Sequence, residues 1–98
     1  MQVYIQWHEG KRGQNLREHG IDFAGLTEFF DGELLTQEDA RYPYPELRFQ
    51  SIGMRGCTAL LVVWTPLDAD CTALQLISAR KATHDETQNW FEYFSTKN

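Results

Sequence analysis

A chain of 98 residues, 42% hydrophobic and 23% charged, can fill one core but not two, so a single domain over residues 1–98 is expected. No stretch nears the roughly 18 apolar residues of a membrane span, and the N-terminal "MQVYIQWHEG" lacks the cationic start and apolar run of a secretory signal. Cys57 and Cys71 form no CxxC pair and no metal-spaced set with the histidines, which predicts a reduced, cytoplasmic protein with no cofactor, no metal and no membrane contact.

The net charge of −5 is unevenly spread. Residues 22–46 carry seven acids against Arg41 alone, a local charge of −6, while the remainder holds eight bases and seven acids, or +1. An acidic segment beside a locally cationic remainder does not exclude a nucleic-acid partner, because charge distribution governs that binding.

In chain order, "VYIQW" (residues 3–7) alternates and is rich in β-formers, so it predicts a strand. "HEGKRGQNLREHG" follows as a helix stopped by His19 and Gly20. Leu16 is nearly its only apolar residue, so the helix needs something to hold it down. Phe23, Leu26 and Phe30, at i, i+3 and i+7 after a possible Asp22 cap, predict a second short helix.

A short strand is expected around Leu34 and Leu35, then a loop in which Pro43 and Pro45 keep the backbone extended. "LRFQSI" and "TALLVVW" read as strands joined by "GMRGC", the second apolar on both faces and therefore central and doubly covered. "TALQLISA" is the last strand. Thr83 and Glu86 form a capping box opening a C-terminal helix whose apolar stripe is Trp90, Phe91 and Phe94. The order β-α-α-β-β-β-β-α predicts an α+β fold: an antiparallel sheet with two N-terminal helices and one C-terminal helix packed on one face.

Several polar residues stand out. Strict alternation puts Arg80 on one face with Ser78, Leu76 and Leu74, and Lys81 on the other with Ala79, Ile77 and Gln75. Glu46 and Arg48 are same-face neighbours, and Lys11, Asn15 and His19 make one polar helix stripe. Each has a plain structural reading. Glu46–Arg48 fits a surface ion pair, Asn15 a backbone contact, His19 a helix end, and Arg80 a bridge to Glu86. Tyr42 and Tyr44 suit either stacking on bases or covering the edge of the core. No phosphate-binding glycine loop, zinc signature or Ser-His-Asp set is present.

The ordered series "W-x3-K-x3-N-x3-H-G", "E-x-R-F", "L-L-V-V-W-T" and "I-S-A-R-x-A", with a glutamate beyond, resembles the BrnT family of bacterial type II toxin–antitoxin systems. The resemblance runs from about Val3 to Tyr93. It implies a RelE-like ribonuclease fold, an RNA substrate, growth arrest, and a BrnA-like antitoxin with a ribbon-helix-helix part that meets operator DNA. By position, Trp7, Lys11, Asn15, His19, Gly20, Glu46, Arg48, Ser78, Arg80 and Glu86 match the family's recurrent residues.

The resemblance thus implies a metal-independent endoribonuclease. Its catalytic candidates are Lys11, His19, Glu46, Arg48 and Arg80, and its RNA-binding candidates Lys11, Arg48, Ser78, Arg80 and Lys81. The arginines suit a crowded phosphate, because a guanidinium fork matches its geometry and stays charged. Either Glu46 or His19 suits the base. The chain departs from the family where His8 replaces a common aspartate, and where "LQLISAR" lacks an earlier arginine. The acidic 22–46 segment and the missing arginine support an alternative: a catalytically weak or inactive binding module that serves as antitoxin partner and co-repressor.

Overall fold

Strand β4 (Thr58–Pro66) runs through the middle of a five-stranded sheet, and its run of β-branched and aromatic residues is buried from Leu60 to Trp64 on both faces. The computed structural model describes residues 3–95, so the ends of the domain expected over 1–98 lie outside the described residues. Around β4 stand β1 (Tyr4–Gln6), β2 (Leu35–Glu38), β3 (Phe49–Arg55) and β5 (Ala73–Lys81), in the spatial order β1-β5-β4-β3-β2. Helix α1 (Glu9–His19) follows β1, and α2 (His84–Ser95) follows β5.

The sheet is mixed, not antiparallel throughout. Strands β2 to β5 pair antiparallel, but β1 lies parallel to β5, with Tyr4 opposite Ala73 and Gln6 opposite Gln75. Periodicity within a strand carries no information about its partner's direction, which is why the pairing was not legible. The turn between β3 and β4 is also tighter than expected. Strand β3 continues to Arg55, and the hairpin closes on Gly56 and Cys57, with Gly56 at φ +62° supplying the turn's positive φ.

The second predicted helix is instead two 3-10 turns, Phe23–Gly25 and Glu28–Asp31. The physical reason lies in the spacing. Phe23, Leu26 and Phe29, all almost fully buried, recur every three residues, the period of a 3-10 helix, while Phe30 is only half-buried. These side chains pack on Leu60, Val62, Trp64, Leu74, Leu76 and Ala79 to form the main core. Each contributes on the order of 1.5–3 kcal/mol by burial. Gly53 of β3 lets this layer come close, since a Cβ there would lie 2.5 Å from Leu34 and about 3.1 Å from the Phe29 ring.

Helices cover both faces rather than one. On the second face, Trp90 of α2 packs on Ile52, Leu61 and Val63 and donates its indole N–H to the Glu33 carbonyl at 2.9 Å. This follows from β4 itself, whose two apolar faces both require cover, as its sequence indicates. The Thr83–Glu86 capping box forms as expected: Glu86 N–H donates to Thr83 Oγ1 at 3.2 Å, and Thr83 N–H to Glu86 Oε1 at 2.8 Å.

The nearly apolar-free α1 is held by polar contacts. Asn15 is its one buried residue. Its amide accepts from the Ala79 N–H and donates to the Ala79 carbonyl, both at 2.9 Å, and donates also to the Ile21 carbonyl at 2.9 Å. One side chain thereby completes the backbone of β5 beyond the point where β1 ends. Arg12 adds a two-pronged contact to Asp22, at 2.7 and 3.1 Å. The Arg12 hydrogen bond is the main reason the Asp22 carboxyl is lowered to about 2. Gly20 closes α1 at φ +72°, its N–H donating to the Leu16 carbonyl.

Candidate functional site

A bulge decides which side chains share the open part of the second face. Val63 opposes Ser78 while Trp64 opposes Leu76, which leaves Ile77 as an extra residue in β5. Beyond it the alternation reverses. Leu74 and Leu76 belong to the main core, whereas Ser78 opposes Val63 and Arg80 opposes Leu61, both on the α2 side. Arg80 therefore shares its face with Ser78 and Ile77, not with Leu74 and Leu76. Lys81 opposes the buried core residue Leu60, so it lies on the other face, at an exposed strand end, apart from the remaining candidates.

Three hollows run along this side of the molecule. The first, about 110 Å³, is lined by Lys11, His19 and Ser78 among others. The second, about 250 Å³, lies between Lys11 and His8 on one side and Glu46 and Arg48 on the other, with Thr65 and Gln75 between them. The third, about 470 Å³, is formed by the 38–48 segment. Lys11 lines the first two, and Glu46 and Arg48 line the last two, so the hollows are linked through those residues.

Arg48 stands one residue before β3, where its carbonyl accepts from the Asp39 N–H at 2.8 Å and prolongs the ladder. Its Nε and Nη2 both reach Glu46 Oε1, at 2.5 Å, and its guanidinium lies 4.0 Å above the Tyr44 ring. The expected Glu46–Arg48 pair is present, and among the described residues Glu46 Oε2 accepts no hydrogen bond from the protein.

Arg80 is held differently. Its two terminal nitrogens meet the two oxygens of Glu86 at 2.8 and 2.9 Å, and Nη1 also donates to the Lys81 carbonyl at 3.1 Å. Hydrogen bonding from Arg80 holds the Glu86 carboxyl below the usual glutamate range, against its partial burial. Arg80 lines none of the three hollows, and the positive charge of Arg41 acts weakly against its own. The structure thus brings together Lys11, Glu46 and Arg48, places His19 and Ser78 around the adjoining hollow, and leaves Arg80 tied to α2.

Two residues beyond the sequence candidates belong to this region. Asp39 has a fully buried side chain, and it receives Arg41 Nε and Nη2 at 2.8 Å each and the Arg41 N–H at 3.3 Å. Hydrogen bonding by Arg41 lowers the Asp39 carboxyl, and the nearby Arg48 charge adds to this. In the sequence Asp39 counts only as one of the seven acids of residues 22–46. The only available signal was "D-A-R", an acid two residues before a base at the end of a strand. Among the described residues no group of three His, Cys, Asp or Glu is placed to hold a metal ion, and no helix is long and apolar enough to cross a membrane.

Comparison with known proteins places this arrangement. No curated protein sequence matches the chain. A solved structure, the 1.1 Å crystal structure of the Brucella abortus ribonuclease toxin BrnT, is similar at 30% identity with a TM-score of 0.62, over 84% of this chain and 99% of that one. The sequence model described as "Ribonuclease toxin, BrnT, of type II toxin-antitoxin system" matches residues 7–86, a span reaching from Trp7 at the start of α1 to the Glu86 that holds Arg80. The chain belongs to the BrnT family of ribonuclease toxins of type II toxin–antitoxin systems.

Proposed function

We propose that this chain is a metal-independent endoribonuclease of RelE-like architecture, acting in the cytoplasm and arresting growth when its antitoxin is absent. The observation that carries the reading is the junction at Arg48. A guanidinium fixed by Glu46 and Tyr44 faces a hollow whose far wall is Lys11, while one oxygen of Glu46 has no donor among the described residues.

In the proposed reaction Glu46 Oε2 takes the proton from a ribose 2′-hydroxyl. The resulting O2′ attacks the adjacent phosphorus, the P–O5′ bond breaks, and the products are a 2′,3′-cyclic phosphate and a 5′-hydroxyl. Arg48 and Lys11 stabilise the charge that gathers on the phosphoryl oxygens. His19, beside Ser78, is the group suited to return a proton to O5′ as general acid. Arg80, held in two-pronged contact by Glu86, acts by fixing the end of β5 against α2, with Ser78 as a polar contact to RNA. A cognate BrnA-like antitoxin with a ribbon-helix-helix part is the proposed neutralising partner and the link to operator DNA.

The test is cleavage of a defined RNA by the purified chain in EDTA. Arg48→Ala should lower the rate roughly 100-fold or more, the loss typical of removing one preorganised donor. Arg48→Ala with an undiminished rate would remove the assignment.

A second reading has its own observation. Arg41, Arg48 and Arg80 each already pair with a carboxylate of this chain, as they would in a binding module without catalytic activity. Expression without the antitoxin separates the two, because an inactive module leaves growth unchanged.

A further inference from the structure

Tyr42 is the residue around the third hollow that the fold itself does not use. Its side chain is on a residue 68% exposed, so it does not cover the core. Its neighbours are fixed. Tyr44 lies under the Arg48 guanidinium and close enough to Arg41 to favour its charged form, and Arg41 is anchored by the buried Asp39 carboxylate. Tyr42 meets Tyr44 in a T-shaped contact, with centroids 5.8 Å apart and planes at 74°, a geometry that occupies at most one of its ring faces. The hollow beneath, about 470 Å³, falls within the roughly 300–1,000 Å³ of small-molecule sites.

We infer that the hollow of residues 38–48 is a one-nucleotide subsite, in which Tyr42 stacks on an unpaired base and Arg41 and Arg48 flank the neighbouring phosphates. The inference rests on the ribonuclease reading, since it places the nucleotide next to the phosphate at Arg48. An exposed ring beside two preset guanidinia is the combination that binds single strands without base pairing: every base offers a π-face, and the cations follow the backbone. An acidic peptide fits less well. Glu38, Asp39 and Glu46 also line the hollow and would oppose carboxylates spread along a peptide, whereas a nucleotide carries its charge only at the phosphates.

The experiment measures binding of a short, mixed-sequence 2′-O-methyl RNA, which cannot be cut by its own 2′-oxygen, to the wild-type chain, Tyr42→Ala and Tyr42→Phe, with RNA cleavage assayed on the same samples. Tyr42→Ala should bind roughly tenfold more weakly at an unchanged melting temperature, and Tyr42→Phe, which keeps the ring, within about twofold of wild type. Equal binding by Tyr42→Ala, or no binding by the wild-type chain, overturns the inference. Cleavage with Tyr42-independent binding removes the subsite and leaves the ribonuclease reading standing. Tyr42-dependent binding without cleavage does the reverse. Loss of antitoxin affinity in Tyr42→Ala, with RNA binding intact, assigns the hollow to the protein partner and overturns the inference.

Discussion

The two faces of the sheet solve opposite problems. One is covered by the 3-10 turns and filled by Phe23, Leu26 and Phe29. Its internal polar groups find partners at short range, as when the Trp64 indole N–H donates to Ser51 Oγ at 2.9 Å. The other is only half covered by α2, and beyond Trp90 it presents guanidinia gripped by carboxylates. Stability is concentrated on the first face and chemistry on the second. The contrast shows how a small domain can keep several cations in a fixed geometry: Arg41, Arg48 and Arg80 are each anchored by an acid of the same chain, so fixed guanidinia are compatible with a net charge of −5.

Substitutions can break that contrast in order of size. Phe23→Ala on the filled face should cost about 4 kcal/mol, from lost transfer energy and the cavity left behind. Urea unfolding measures it, and a loss under about 1 kcal/mol would mean that the first face is not the stabilising one. Asn15→Leu should cost about 3 kcal/mol, because the N–H and C=O of Ala79 and the C=O of Ile21 lose their partner in a buried place. A melting temperature within a degree of wild type would show that water replaces the amide.

Arg80→Ala sharpens the comparison within the second face. Unfolding should become easier by about 1 kcal/mol, while RNA cleavage at a temperature where the chain stays folded falls far less than in Arg48→Ala. Equal losses of cleavage would make Arg80 part of the reacting site. The smallest effect concerns acid. Asp39 and Glu86 have folded carboxyls lowered by their arginines, so their contribution is complete above the ordinary carboxylate range and is lost as pH falls through the lowered values. Stability should therefore be level from about pH 7 to 5 and decline below about pH 4, and Glu86→Gln should flatten that decline. An unchanged acid slope in Glu86→Gln would exclude Glu86 as a source.

What the sequence made legible was local. Gly20 as a helix stop, the Thr83–Glu86 box, the doubly covered β4 and the Glu46–Arg48 pair each depend on residues within a few positions of one another. What it concealed depends on distant partners. The role of Asn15 requires Ala79, 64 residues away, and the direction of β1 is set by β5. The bulge at Ile77 was hidden for another reason: β5 alternates acceptably in sequence on either side of it, and only pairing with β4 reveals the reversal. The family series located most of the cleft, but Asp39 and Arg41 were outside it.

The amide of Asn15 has one further consequence. A strand margin with unmet hydrogen-bonding groups invites a second chain to add to it, which leads to aggregation. Strand β1 shields β5 only as far as Gln75, and at Ala79 the Asn15 side chain occupies the slots another backbone would take. The remaining margins, β1 and β2, are three and four residues long, too short to template extended growth. Asn15 thus keeps newly made molecules from sticking to one another, and its loss should appear first as poor recovery of soluble protein at high expression.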